Sequence, residues 1–229
     1  MKAMLLAAGR GERMRPLSDA CPKPLLEVGG KPLIVWHLER LRRAGFSSVV
    51  INHAWLGHMI ERALGDGAGF GLRIDYAAEG TALETAGGIA HAAPLLGDAP
   101  FLAVNADVYC EFDFGRARTI AAQMAVDGAS AWLVMTPNPP QNPCGDFTLA
   151  GGRVSDAGKR RLTFSGIGVY LPVLFARISR GSNARLAPLL REAMARGVVA
   201  GERFDGRWED VGTPQRLAAL DRELRAQPG

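Results

Sequence analysis

Short apolar runs alternate along the chain with segments whose apolar residues recur every three or four positions. The runs predict strands at Lys2–Ala7, Ser48–Asn52, Leu72–Ala77, Phe101–Asn105 and Ala131–Thr136. The helical pattern predicts helices over Pro32–Ala44, Leu56–Leu64, Thr85–Leu95 and Phe114–Val126. Pro32 in the first turn and Gly45 just past the end mark the first of these. Such alternation predicts a Rossmann-like α/β fold, a mostly parallel sheet flanked by helices on both faces. The rhythm breaks after Thr136, where Pro137–Pro143 is a stiff, non-helical connection. Beyond it the pattern predicts a hairpin from Phe147–Leu149 and Arg153–Ser155 across Gly151-Gly152, then a strand at Phe164–Leu171. Helices at Ala184–Arg196 and, capped by Thr213, at Pro214–Arg225 complete it. The expectation is one domain over 1–229 with a small β-rich part in its second half.

With 229 residues, 48% of them hydrophobic, the chain can bury a core without disulfide or metal staples. Charged residues at 22% exclude a disordered chain. No apolar run approaches the roughly 18 residues a membrane span needs. The apolar start, Met4–Ala8, is too short for a signal peptide and runs straight into Gly9-Arg10-Gly11-Glu12-Arg13. Lys and Arg exceed Asp and Glu by 27 to 23 with no dense basic block, which reads as a solvated basic surface rather than a nucleic-acid site and would also suit small anionic substrates such as phosphates. Cys21, Cys110 and Cys144 form no CxxC pair and are odd in number, which points to a reducing cytoplasm. No heptad repeat is present, and a monomer or weak dimer is expected.

The segment from Leu6 to Leu17 follows the first predicted strand, the end at which open α/β sheets bind ligands. Its Gly9-Arg10-Gly11 turn can expose backbone N–H groups to phosphate oxygens. It is not a dinucleotide fingerprint, because Met14 stands where the third glycine belongs, and no GxxxxGK[ST] loop exists. Taken alone, it reads equally as a charged surface loop. His37, His53, His58 and His91 lack metal-ligand spacing, although Asn52-His53 at a strand end is placed to line a pocket. Ser165 has no obvious base partner, so hydrolase chemistry has no support.

The run LAAGRGERMRPLSDACPKPLLEVGGKPLI resembles the signature of nucleotidyltransferases that act on sugar 1-phosphates. The resemblance continues at Leu83–Ile89, Val104–Val108, Gly145-Asp146-Phe147 and Trp208–Pro214, and so covers essentially the whole chain. It implies that a sugar-phosphate oxygen attacks the α-phosphorus of a nucleoside triphosphate and pyrophosphate leaves, chemistry that needs positioning and charge neutralisation. It assigns Mg²⁺, a hard cation usually held by one or two carboxylates, to Asp107 and Asp210. Each aspartate alone would read equally as a cap or turn residue. Lys23 would contact the α-phosphate and Arg13 the leaving pyrophosphate. Ala8, Gly9 and Gly11 would give backbone contacts to base and phosphates, and Glu79 with Leu83, Glu84 and Thr85 would hold the base. Asn105, Gly145, Asp146, Ser165 and Gly166 would build the sugar pocket. Residues 1–136 would then be mainly the nucleotide half and 137–229 mainly the sugar half.

Within the family, Val50–Gly57, Leu83-Glu84-Thr85 in place of the commoner LGT, and Leu162–Tyr170 resemble the group that joins UTP to N-acetylmuramic acid 1-phosphate in cell-wall recycling. The carboxylate of that sugar would suit a basic pocket. Ala86 and Ala106 replace glycines of the family pattern, and Ser18 and Cys21 stand where Thr is frequent. The Glu-Lys-Pro lysine that binds the sugar phosphate in many relatives is absent, with Lys159, Arg160 and Arg161 as candidate substitutes. Mannose-1-phosphate guanylyl transfer and glucose-1-phosphate thymidylyl or uridylyl transfer are the alternatives within the family. A non-catalytic nucleotide-sugar sensor would tend to lose the metal carboxylates or the signature lysine, and here Arg13, Lys23, Asp107 and Asp210 all stand. A Rossmann oxidoreductase would want an acidic residue where Asn52-His53 stand.

Overall fold

The computed structural model describes residues 1–226, and the last three positions of the expected 1–229 unit lie outside the described residues. The first half runs β1 (Ala3–Leu6), α1 (Leu17–Ala20), β2 (Glu27–Val28), β3 (Lys31–Pro32), α2 (Leu33–Arg43), β4 (Ser48–His53), α3 (Gly57–Leu64), β5 (Arg73–Ala78) and α4 (Glu84–Leu96). Next come β6 (Phe101–Asn105), β7 (Val108–Cys110), α5 (Ala117–Asp127) and β8 (Ala131–Thr136). The remainder is β9 (Phe147–Ala150), β10 (Arg153–Ser155), β11 (Arg161–Tyr170), α6 (Leu186–Ala195), β12 (Val199–Arg203), β13 (Trp208–Asp210) and α7 (Pro214–Ala226).

Nine strands form one sheet in the order β5-β4-β1-β6-β11-β8-β12-β10-β9. The expected parallel sheet is present in β5, β4, β1 and β6, and again between β8 and β12. β11 runs antiparallel between β6 and β8, and the β9–β10 hairpin adds antiparallel strands at one edge, so the second half is mixed. Side chains along a strand alternate between faces, and both faces here are apolar. Ala3 and Leu5 of β1 pack with Ile34, Leu38 and Leu41 of α2 and Met124 of α5. Met4 between them packs on the other side with Ile89 and Leu96 of α4 and Leu190 of α6.

A third, smaller cluster of Val28, Leu33, Tyr109, Val211 and Leu220 seats α7 on the short strands outside the main sheet. It backs the antiparallel pair β7–β13, in which Asp210 stands opposite Val108. These short strands and the four-residue α1 carry too few residues for the periodic pattern to announce them, and β12 is broken by Gly201 and ends in the charged Glu202-Arg203.

Candidate active site

The cleft sits where the four parallel strands end. Leu6 is in register with Asn52 on one side and Asn105 on the other. β4 and β5 lie on one side of β1 and β6 on the other, so the chain reverses direction across the sheet at β1, the position at which such sheets open a crevice. The cavity there measures about 620 Å³, and its lining includes Ala8, Gly9, Gly11, Arg13, Lys23, Asn52, Glu84, Thr85, Asn105, Asp107 and Gly212.

Lys23 opens a short 3-10 turn between Pro22 and Pro24, a stiff setting that fixes the side chain's origin. Its Nζ lies 2.6 Å from Oδ2 of Asp107, with the lysine 7% and the aspartate 40% exposed. Gly11, at φ 66°, lets the glycine-rich turn close over Lys23, since a Cβ there would lie 3.2 Å from the lysine Cβ. Ser18 Oγ donates to the Gly11 carbonyl at 2.8 Å, and Arg10 stacks 4.7 Å over Trp55, so both flanks of the turn are held.

Asp210 is carried to this region by the β7–β13 pairing, with the Val211 N–H donating to the Asp107 carbonyl at 3.3 Å. Arg216 of α7 holds Asp210 Oδ2 at 2.7 Å. Gly212 keeps the space between them open: a Cβ there would lie 2.5 Å from an Arg216 nitrogen and 3.2 Å from an Arg13 nitrogen. Asp210 itself is not part of the cavity wall, its Oδ1 lying 3.0 Å from where a Gly212 Cβ would stand. Among the described residues no three His, Cys, Asp or Glu side chains cluster as a metal-ligand set; Asp107 lines the cavity and Asp210 lies outside its wall. Carboxylate oxygens are the hard donors Mg²⁺ takes, and that ion keeps water and phosphate ligands as well.

A second cavity of about 340 Å³ shares Glu84, Thr85 and Asn105 with the first and adds Asp146, Phe147, Phe164, Leu190, Arg185 and Arg191. Asp146 Oδ2 accepts from the Phe164 N–H at 2.8 Å and from Asn142 at 3.2 Å, which ties the proline-rich loop to β11. Gly166 stands at φ 78° in a bulge of β11, and a Cβ there would lie 2.5 Å from Asn105 Nδ2. The glycine therefore lets Asn105 keep its place between the two cavities.

A family model described as nucleotidyl transferase matches residues 2–152. The chain belongs to the nucleotidyl transferase family. It is 55% identical over 95% of both chains to the N-acetylmuramate alpha-1-phosphate uridylyltransferase of Neisseria meningitidis serogroup B. It is 35% identical to the protein of that name from Caulobacter vibrioides, over 97% of this chain and 96% of the relative. A putative glucose-1-phosphate thymidylyltransferase from Bacillus anthracis has the same fold, with a TM-score of 0.86 and 19% identity over 100% of this chain and 97% of that one.

Several of the expected site residues lie outside the lining of both cavities. Glu79 is not part of the cavity wall: Oε1 accepts from Asn52 Nδ2 at 2.6 Å and Oε2 from the Leu83 N–H at 2.8 Å. Asn52 Oδ1 in turn accepts from the Ala7 N–H at 3.0 Å. Glu79 thus binds the Leu83 loop to the glycine-rich turn. Ser165 is buried, donates to the Val134 carbonyl at 2.7 Å and supports the β11 bulge. Gly145 packs under Asn138, whose Oδ1 a Cβ would approach to 2.7 Å. His53 is buried on Glu61 at 2.7 Å and does not line the cleft, whereas its neighbour Asn52 does. Lys159 and Arg160 lie on an exposed turn, and Arg161 is engaged by the Asp146 carbonyl and Asp156. The cations that line the second cavity are Arg185 and Arg191 of α6 and its approach, which no local sequence signal distinguishes from other surface arginines. Arg216 is likewise recognisable only once Asp210 lies beside it.

Proposed function

We propose that this enzyme transfers UMP from UTP to N-acetylmuramic acid α-1-phosphate, releasing pyrophosphate and forming UDP-N-acetylmuramic acid for cell-wall recycling. The observation that carries the reading is the meeting of Arg13, Lys23 and Asp107 beside a glycine-rich turn in one cleft, with a smaller cavity adjoining it. The 55% identical Neisseria relative, named for that sugar phosphate and uridylyl transfer, supports the choice of substrates.

Backbone N–H groups of Ala8, Gly9 and Gly11 take triphosphate oxygens, and the Leu83–Thr85 turn takes the base. Glu79 acts through the loop it anchors. The attacking sugar-phosphate oxygen is already anionic, so no general base is required. It forms a bond to the α-phosphorus as the bond to pyrophosphate breaks. Charge grows on the α-phosphate and the leaving group, where Lys23 and Arg13 stand to neutralise it. Asp107 and Asp210 would hold Mg²⁺, which when bound neutralises phosphate charge as a Lewis acid. Arg216, which donates to Asp210 Oδ2, would orient that carboxylate. On the sugar side Asn105 and Asp146 offer hydrogen bonds to hydroxyls, with Ser165, Gly166 and Gly145 shaping the loops that hold them. Residues 1–136 and 137–229 work as nucleotide and sugar halves of one unit, as a monomer or weak dimer. Three free cysteines suit the reducing cytoplasm where such substrates are made.

The test is pyrophosphate release with Mg²⁺ from UTP, GTP, dTTP or CTP, each paired with the 1-phosphates of N-acetylmuramic acid, N-acetylglucosamine, glucose or mannose. Strong preference for UTP with N-acetylmuramic acid 1-phosphate is expected. Preference for another pair would overturn the substrate assignment, and no release from any pair would overturn the activity.

A further inference from the structure

Glu84 begins α4 with φ 62°, in the left-handed region. A side chain there crowds the following carbonyl, and such a residue shifts the folding equilibrium against the protein by about five- to thirtyfold. Its ionic contact within the chain is weak: Arg185 Nε lies 3.7 Å from Oε1, with the arginine 76% and the glutamate 45% exposed. An exposed pair of this kind returns about fivefold at best. The conformation is therefore offset by something other than that pair, and backbone outliers of this sort gather at functional sites.

The position of Glu84 says where to look. It is shared by the nucleotide cavity and the sugar-side cavity, whereas Arg185 lines the sugar side alone. The other cation of that cavity, Arg191, is already held by Asp156 at 3.0 Å and stacks over Phe147. Asp146 there is engaged by Phe164 and Asn142. Arg185, with only a long contact to Glu84 among its charged neighbours in the described residues, is the guanidinium with N–H groups to offer an incoming anion.

We propose that Glu84 is a positioning residue: its strained backbone sets the carboxylate at the junction of the two cavities, where it holds Arg185 toward anionic oxygens of the sugar substrate. This rests on the proposed sugar-1-phosphate activity. The backbone of the Leu83–Thr85 turn serves the nucleotide, while the Glu84 side chain serves the sugar. The oxygens can belong to the 1-phosphate common to all candidate sugars or to the carboxylate peculiar to N-acetylmuramic acid.

The test compares the unaltered enzyme with Glu84→Gly and Glu84→Gln. It measures Tm, KM for UTP, and KM for the 1-phosphates of N-acetylmuramic acid and N-acetylglucosamine. Glu84→Gly should raise Tm by about 2–4 °C, because glycine accepts the left-handed backbone. It should also raise KM for the sugar phosphate by up to about fivefold, and by more than it changes KM for UTP. Glu84→Gln should raise the same KM without the gain in Tm. A loss confined to the acidic sugar assigns Arg185 to the carboxylate, and an equal loss with both assigns it to the phosphate. Unchanged sugar KM in Glu84→Gly, or a rise confined to UTP, would overturn the proposal. If the unaltered enzyme releases no pyrophosphate from any pair, the proposed activity itself fails. Calorimetric titration with each sugar 1-phosphate then still reads whether Glu84→Gly weakens binding.

Discussion

The hydrogen-bond chain from Ala7 through Asn52 and Glu79 to Leu83 has a fixed polarity. The Ala7 N–H donates to Asn52 Oδ1, Asn52 Nδ2 donates to Glu79 Oε1, and the Leu83 N–H donates to Glu79 Oε2. In Glu79→Gln the new amide NH₂ must face one of two donors, Asn52 Nδ2 or the Leu83 N–H. Flipping Asn52 only moves the conflict to Ala7. One hydrogen bond to a charged acceptor is lost in either case, which costs about 2 kcal/mol. For a chain of this size that lowers Tm by about 4–8 °C. Because Leu83 anchors the base loop, KM for UTP should rise by about tenfold, the equivalent of 1.4 kcal/mol. Asn52→Asp alone should be worse, since it sets a carboxylate against Glu79 across a 2.6 Å contact. The double variant Asn52→Asp with Glu79→Gln restores a donor opposite every acceptor. It should recover most of the stability and of the UTP affinity, with a coupling energy of about 2 kcal/mol or more. Thermal unfolding and steady-state kinetics on the four proteins decide the matter. A Glu79→Gln protein as stable as the parent, or a double variant no better than the sum of its parts, would refute the polarity argument.

Three further outcomes are expected. Lys23→Ala should lower kcat more than it raises KM, because its contact with the α-phosphate strengthens in the transition state; a pure KM effect would make Lys23 a binding group only. Asp107→Asn should cut turnover by about a hundredfold or more with Mg²⁺ present while circular dichroism shows the fold kept, and near-normal turnover would remove Asp107 from the metal site. His37 is buried in α2 with its Nε2 2.7 Å from the Val108 carbonyl, and burial lowers its pKa to about 4. The unfolded chain, with an ordinary histidine near 6.5, binds more protons between these values, so stability should fall as pH drops from about 6.5 toward 4. A His37→Gln protein should lose that part of the slope in pH-dependent thermal unfolding, and an unchanged slope would refute the assignment.

Much of this molecule is written locally. Phe101–Asn105 and Ala131–Thr136 are strands over the limits their apolar runs predicted, and Gly151-Gly152 turns the expected hairpin. The glycine-rich turn is legible for a similar reason. A backbone that must fold over Lys23 at φ 66° calls for glycine at position 11 whatever surrounds it. Periodicity and backbone preference act between near neighbours, so the longer strands and helices of the main sheet are legible in the chain, and the resemblance of its motifs named the chemistry.

Tertiary structure decided the rest. Strand direction leaves no trace in an apolar run, and the antiparallel course of β11 appears only when β6 and β8 close around it. Nothing near Asp210 in the chain announces that β13 will pair with β7 and bring it toward Asp107. Nothing near Glu79 in the chain announces that Asn52 Nδ2 and the Leu83 N–H will each donate to one of its oxygens. The same residue types serve as wall, anchor or cap according to what lies across the sheet. That neighbour is set by strand order and register, which are properties of the whole packed chain.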